Sequence, residues 1–139
     1  MVDYARIASD AKAKWDAKCA RHESLYTLFE DLKLILQTEV DAANVALRRE
    51  NLPSIMLQIE KDSVELNYAF KCTISLDLKE CLIVATFLGE TVRRQLTFSD
   101  QGDHQGERTN DAATSSKRYV DMNAKGIAEV IVQSMIEAH

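Results

Sequence analysis

From Val64 to Leu78 the chain alternates without a break. Val64, Leu66, Tyr68, Phe70, Cys72, Ile74, Leu76 and Leu78 are apolar, and the residues between them are polar or small. A period of two places every apolar side chain on one face of a sheet, so the segment predicts an extended strand with one buried side. A second strand can be added only in registers that keep apolar residues on that side, because a slip of one residue turns the whole set to solvent.

Three flanking turns obey this rule. A turn at Asp62-Ser63 sets Ile59 opposite Leu66, Leu57 opposite Tyr68 and Ile55 opposite Phe70. One at Lys79-Glu80 sets Leu76 opposite Ile83, Ile74 opposite Ala85 and Cys72 opposite Phe87. One at Gly89-Glu90 sets Phe87 opposite Val92, Ile83 opposite Leu96 and Cys81 opposite Phe98. All are apolar on apolar, so an antiparallel meander is expected, with strands at about 54–61, 64–78, 81–88 and 91–98. A strand of fifteen residues exceeds the usual length. The segment 64–78 therefore either bends or turns near Ala69-Phe70-Lys71.

The sheet needs a cover, and the N-terminal third supplies one. Residues 2–49 contain neither Gly nor Pro, and apolar or small residues recur from Ala8 to Leu47 at a mean spacing of about 3.5, which is helical. Leu25, Leu28, Phe29, Leu32, Ile35 and Leu36 make a wide apolar face, whereas Ala8, Ala11, Trp15 and Cys19 make a thin seam among Lys and Asp. One straight helix over this span is roughly 70 Å long, about twice what a sheet of ordinary strands requires. Residues 1–21 are thus expected to overhang as an arm or to fold back at a break near Arg21-His22-Glu23-Ser24. Pro53 ends the helical section.

Ser99 to Lys117 is polar throughout and reads as a mobile loop at 99–117. Residues 118–122 read as a short fifth strand, and Asn123 as the cap of a C-terminal helix over about 124–138 carrying Ile127, Val130, Ile131 and Met135. The fold class expected is α+β, a single domain over residues 1–139: a long N-terminal helix, an antiparallel meander of four or five strands, and a C-terminal helix.

Composition narrows the partners. A net charge of −5 with dispersed Lys and Arg argues against nucleic acid and against an anionic membrane surface. No apolar stretch approaches the length of a membrane span, and the N-terminus lacks the apolar core of a signal peptide. Three scattered cysteines, Cys19, Cys72 and Cys81, fit neither a disulfide framework nor a metal site and suit a reducing cytoplasm.

Few residues hint at chemistry. Arg94 is the one charge that the register sets on the buried face, opposite Ala85. It either anchors an acidic ligand in a pocket between sheet and helix or serves the fold, with Glu39 as one available carboxylate. Asp100, Asp103, His104 and Glu107 cluster without the spacing of a calcium loop and read as a solvated charge run. Cys19 and His22 lie one helical turn apart, with no second pair to complete a metal set. Cys72 and Cys81 share a face yet stand too far apart along the strands for a disulfide. The strand at 81–88 is apolar on its outer side too, through Leu82, Val84 and Leu88, so the C-terminal helix or another molecule is expected to cover it.

No phosphate loop, nucleophile elbow, zinc-protease helix or paired Cys-x-x-Cys is present, and no cofactor is implied. The expectation is a non-enzymatic protein-interaction or oligomerisation module, a homodimer or the binder of another protein, with Trp15, Leu82, Val84 and Leu88 as interface residues. The alternatives are a small binding protein for an apolar acid oriented by Arg94, and an enzyme whose site is assembled from scattered residues.

Overall fold

A computed structural model describes residues 1–90, 93–100, 104–109, 112–114 and 123–137, with side chains described outside 104–114. Helix α1 runs unbroken from Tyr4 to Arg49. Its start is capped by Asp3, whose carboxylate accepts the backbone N–H of Arg6 at 3.2 Å. Its end is a Schellman turn: Asn51 takes a left-handed φ of 58°, Asn51 N–H donates to Arg48 O, and Leu52 N–H donates to Leu47 O. Pro53 then prevents the helix from resuming.

Strands β1 (Met56–Ile59), β2 (Ser63–Asn67), β3 (Lys71–Asp77), β4 (Leu82–Leu88), β5 (Arg93–Ser99), β6 (His104–Thr109) and β7 (Ala112–Thr114) form one antiparallel sheet in sequential order. Helix α2 (Ala124–Glu137) follows, its first turn capped by the Asn123 side chain, which accepts from Gly126 N–H at 2.9 Å. The α+β class, the long first helix, the meander and the final helix are those the sequence predicts. Residues 118–122, expected as a strand, lie outside the described residues.

Several details differ. The strand expected over 64–78 is the hairpin β2–β3, turning at Tyr68–Phe70, with Leu66 opposite Cys72 and Val64 opposite Ile74. A turn of three residues keeps even positions on one face in both arms, so the alternation runs through it undisturbed. Phe70 closes the turn by packing edge-on against Phe87, with ring centres 6.1 Å apart. The β3–β4 register is the predicted one: Leu76 faces Ile83, Ile74 faces Ala85 and Cys72 faces Phe87.

The other two registers are each shifted by two, which changes partners but not faces. Leu57 faces Leu66 rather than Tyr68, because the β1–β2 turn sits at Lys61-Asp62. Lys33 of α1 fixes that position by donating from Nζ to the Lys61 carbonyl at 2.6 Å. Phe87 faces Arg94, and Ala85 faces Leu96, so Arg94 is not opposite Ala85.

Part of the stretch expected to be a loop at 99–117 is the strand pair β6–β7. β6 pairs along β5, with a shift at Thr97/Phe98. Backbone ladder bonds carry such strands at the margin of a sheet, where no apolar face is required of the side chains.

Both helices lie on the same side of the sheet. Leu25, Phe29, Leu32, Leu36, Val40 and Leu47 of α1 join Ile127, Ala128, Ile131 and Met135 of α2 over Val64, Leu66, Cys72, Ile74, Ile83, Ala85, Phe87, Leu96 and Phe98. These inward positions are essentially fully buried, so side chains fill the space between the layers. The start of α2 borders Leu28–Ile35 and its end borders Glu39–Ala43, so the helices run side by side in the same direction. Among the described residues no element covers the outer face of the sheet.

Candidate functional site: an uncovered helical arm

The body of the protein begins on α1 at Arg21 and His22. The His22 Nε2–H donates to the Leu78 carbonyl just after β3 (2.9 Å), and Arg21 pairs with Asp100 after β5 at 3.5 Å. Every residue from Met1 to Arg21 is exposed. The first buried position of the helix is Leu25. The part of α1 before Arg21 is therefore an arm of about 26 Å standing clear of the body.

The arm is not uniformly polar. At 100° per residue, Tyr4, Ile7, Ala11 and Trp15 lie on the same side of α1 as Leu25, Phe29, Leu32 and Leu36. The stripe that rests on the sheet thus continues past the sheet's end, interrupted by Lys18, which lies on the same side. Tyr4 is 75% exposed, Ile7 55% and Trp15 66%. A large side chain such as Trp gains roughly 1.5–3 kcal/mol when fully buried, and one such residue exposed means little, but three in register on a helix face make a surface. Residues 1–21 also carry five Lys and Arg against three Asp, leaving twelve against nineteen in the remainder, so the arm is basic and the body acidic.

The other candidate residues are dispersed around this arrangement. Leu82 and Val84 are half-buried on the outer face of β4, and Leu88 is 49% exposed. The ladder sets Val84 between Ser75 and Thr97, Leu82 between Asp77 and Ser99, and Leu88 between Lys71 and Arg93. The apolar strip is one strand wide with polar neighbours on both sides, and α2 lies on the opposite face. Trp15 lies on the side of the arm that continues the inner layer, whereas Leu82, Val84 and Leu88 are on the outer face of β4, so the four residues expected at an interface do not form one patch.

Arg94 is half-buried at the inner margin of β5. It donates to Ser134 Oγ of α2 at 3.1 Å, and its guanidinium lies 5.8 Å from the ring centre of Phe87. These contacts fasten β5 to α2. Glu39 borders a shallow groove between α1 and α2 of about 470 Å³, together with Glu129, Gln133 and Glu137. Cys19 is exposed on the arm while its neighbour His22 is spent on Leu78. Cys72 and Cys81 are buried, and desolvation pushes the Cys72 thiol up to about 12. Of the acidic cluster, Asp103 and the side chains of His104 and Glu107 lie outside the described residues, and Asp100 is paired with Arg21. Among the described residues, no group of three or more His, Cys, Asp or Glu is placed to hold a metal ion, and no helix is long and apolar enough to cross a membrane.

Two positions that matter escaped sequence reasoning. Lys33 is buried on the edge of the apolar stripe. It bonds Lys61 O and Glu30 (3.0 Å) while its ammonium lies 4.8 Å from the centre of the Phe29 ring. Asn44 clamps the start of the sheet to α1: its Oδ1 accepts Ile55 N–H at 2.7 Å, and its Nδ2 donates to Ile55 O at 3.1 Å. The only signal for either was a polar residue one helical turn from core positions. Comparison with protein-family models, curated proteins and solved structures finds no match.

Proposed function

We propose that this chain is a non-enzymatic protein-interaction module whose working element is the N-terminal arm. The observation that supports the reading is the continuation of the core stripe onto a helix that no other described residue covers: Tyr4, Ile7, Ala11 and Trp15 stand where the helix has left its sheet. Holding roughly twenty residues helical and bare has little to offer a monomer, since isolated helices of that length are marginal in water. A partner that covers the stripe removes three large side chains from water, worth several kcal/mol in gross terms. The outer face of β4 is a subsidiary contact in this reading. The setting is the cytoplasm, in keeping with three free cysteines.

Removal of residues 1–21 tests it. Every buried residue described lies at Leu25 or beyond, so the shortened chain keeps its core. The expected result is unchanged near-ultraviolet dichroism with loss of self-association or partner binding, followed by sedimentation velocity. Association that survives the deletion overturns the assignment to the arm and moves it to the sheet.

A further inference from the structure

We infer that the arm's partner is the arm of a second copy of this chain, laid antiparallel along it with a two-fold axis near residues 12–13. The inference rests on the arm being the interaction element and goes further by naming the occupant and the register. Three observations converge on it.

The first is the direction of the stripe. Over residues 25–47 the apolar side of α1 looks onto its own sheet, and the sheet ends at the β3–β4 turn, where His22 holds Leu78. The apolar side of the arm looks into the continuation of that same layer. A helix seated there lies against the arm at the usual 8–10 Å between axes, with its tip directed at the end of the sheet. The partner arm takes over the place that the sheet holds further along.

The second is length. The helix begins at Tyr4 and the body begins at Arg21, so two arms overlapping along their full exposed length are centred at residues 12–13. A centre closer to the body drives the start of the partner's helix into the sheet end, and one further out leaves Trp15 bare.

The third is what meets at that centre. Ala11 lies opposite Trp15 of the other copy, small against large, and the two-fold repeats the contact. Asp10 and Lys14 share one flank of the seam and meet Lys14 and Asp10 of the other copy, giving two opposite-charge contacts. The register has two unfavourable features: Lys12, on the other flank, meets its own copy across the axis, and Lys18 lies on the seam itself near Ile7 of the other copy, where its ammonium must reach past the contact to water. The rival seat is the groove between α1 and α2, where Glu39, Glu129 and Glu137 oppose the arm's basic charge. It lies at the far end of the body and offers no counterpart for the continuing stripe.

A contact about 27 Å long and one helix wide buries on the order of 1,000 Å² in total, the low end for specific association, so the dimer is reversible. The test uses the full chain and its point variants in sedimentation experiments from roughly 5 to 500 μM. The native chain is expected to pass from monomer to dimer over this range. Ala11→Glu, a charge at the closest approach, is expected to leave the chain monomeric with an unchanged melting temperature of the body. Lys12→Ala is expected to tighten the dimer several-fold.

Register is read by cross-linking. Ala5→Cys shares a flank with Cys19 and lies opposite Cys19 of the other copy. A short bis-maleimide should therefore join Cys19 to the new thiol between chains. In the native chain each Cys19 stands about 20 Å from its copy and should not be joined to it.

A Cys19–Cys19 link in the native chain overturns the antiparallel register. Weakening by Lys12→Ala, with loss of the dimer in Glu129→Gln/Glu137→Gln, places the arm in the groove instead. A chain that stays monomeric at 500 μM overturns self-pairing while leaving the arm free to serve another protein. A dimer indifferent to Ala11→Glu and to loss of residues 1–21 overturns both the pairing and the functional reading.

Discussion

The Asn44 clamp offers the sharpest test of how the helix is tied to the sheet. Ile55 sits just before β1, 2% exposed, where its backbone N–H and C=O have no ladder partner, since the β1–β2 pairing begins at Met56. Asn44 satisfies both groups with one side chain, at 2.7 and 3.1 Å. Truncation to Ala removes two hydrogen bonds and leaves a buried donor and a buried acceptor without partners. A lost bond of this kind costs about 1–3 kcal/mol when its counterpart stays buried, so Asn44→Ala should cost about 2–4 kcal/mol after partial relaxation.

That is a sizeable share of the 5–15 kcal/mol usual for a domain. At roughly 3–5 °C per kcal/mol for a chain of this size, the melting temperature should fall by about 6–20 °C. Urea unfolding measured by tryptophan-independent far-ultraviolet dichroism provides the free energy directly. Arg48→Ala is the control, because its exposed bond to the Asn44 carbonyl at 3.4 Å should be worth almost nothing. Asn44→Asp keeps the acceptor for Ile55 N–H but sets an anion beside Ile55 O, so it should recover less than half of the loss. A deficit below 1 kcal/mol for Asn44→Ala, at unchanged m-value, would refute the reasoning, since it would mean that water replaces the clamp at no cost.

Thiol titration of the native chain at neutral pH should register one fast cysteine, Cys19, with Cys72 and Cys81 reacting only on unfolding; a second fast thiol would contradict the burial of Cys72 in β3 and of Cys81 in the β3–β4 turn. Asn51→Gly should be neutral to slightly stabilising and Asn51→Val destabilising by about 1 kcal/mol in thermal melts, because φ is 58° there; equal melting of the two would deny the left-handed cap. Hydrogen bonding to Lys71 holds the half-buried Glu65 carboxyl below its ordinary pKa. Its contribution is therefore complete above the unfolded pKa and lost as pH falls through the lowered folded value, so stability profiles of the native chain and Lys71→Met should differ at neutral pH and converge in acid.

What the sequence made legible was the face, and what it left open was the register along it. Alternation is insensitive to shifts of two, so Leu57 could be given to Tyr68 or to Leu66 without disturbing any buried residue, and a Lys33–Lys61 contact made across 28 positions decides between them. The same insensitivity hides the β2–β3 turn, because a three-residue turn carries the period straight through. β6 and β7 were illegible for a different reason. Their pairing is a matter of backbone groups, and His-Gln-Gly-Glu-Arg-Thr shows no alternation that side-chain patterning could detect. Trp15 was legible as a member of the stripe. That it is bare required knowing where the sheet ends, which depends on turns the pattern does not position.

The end of the sheet is thus what turns one helix into two devices. Up to Leu78 the stripe of α1 has a surface beneath it, and the cost of ordering Leu25, Phe29 and Leu32 is met by burial. Beyond it the same spacing continues with Lys18 and with smaller residues: Ala8 and Ala11 replace the large side chains that a sheet would want, and Tyr4, Ile7 and Trp15 keep apolar bulk. A stripe built to meet a sheet of this body would repeat Leu and Phe, as residues 25–36 do. A seam of alternating bulk and alanine permits close approach of another helix, where one partner's large side chain fills the space over the other's small one. The change in composition at His22 therefore marks a change in the kind of surface the helix is made to face.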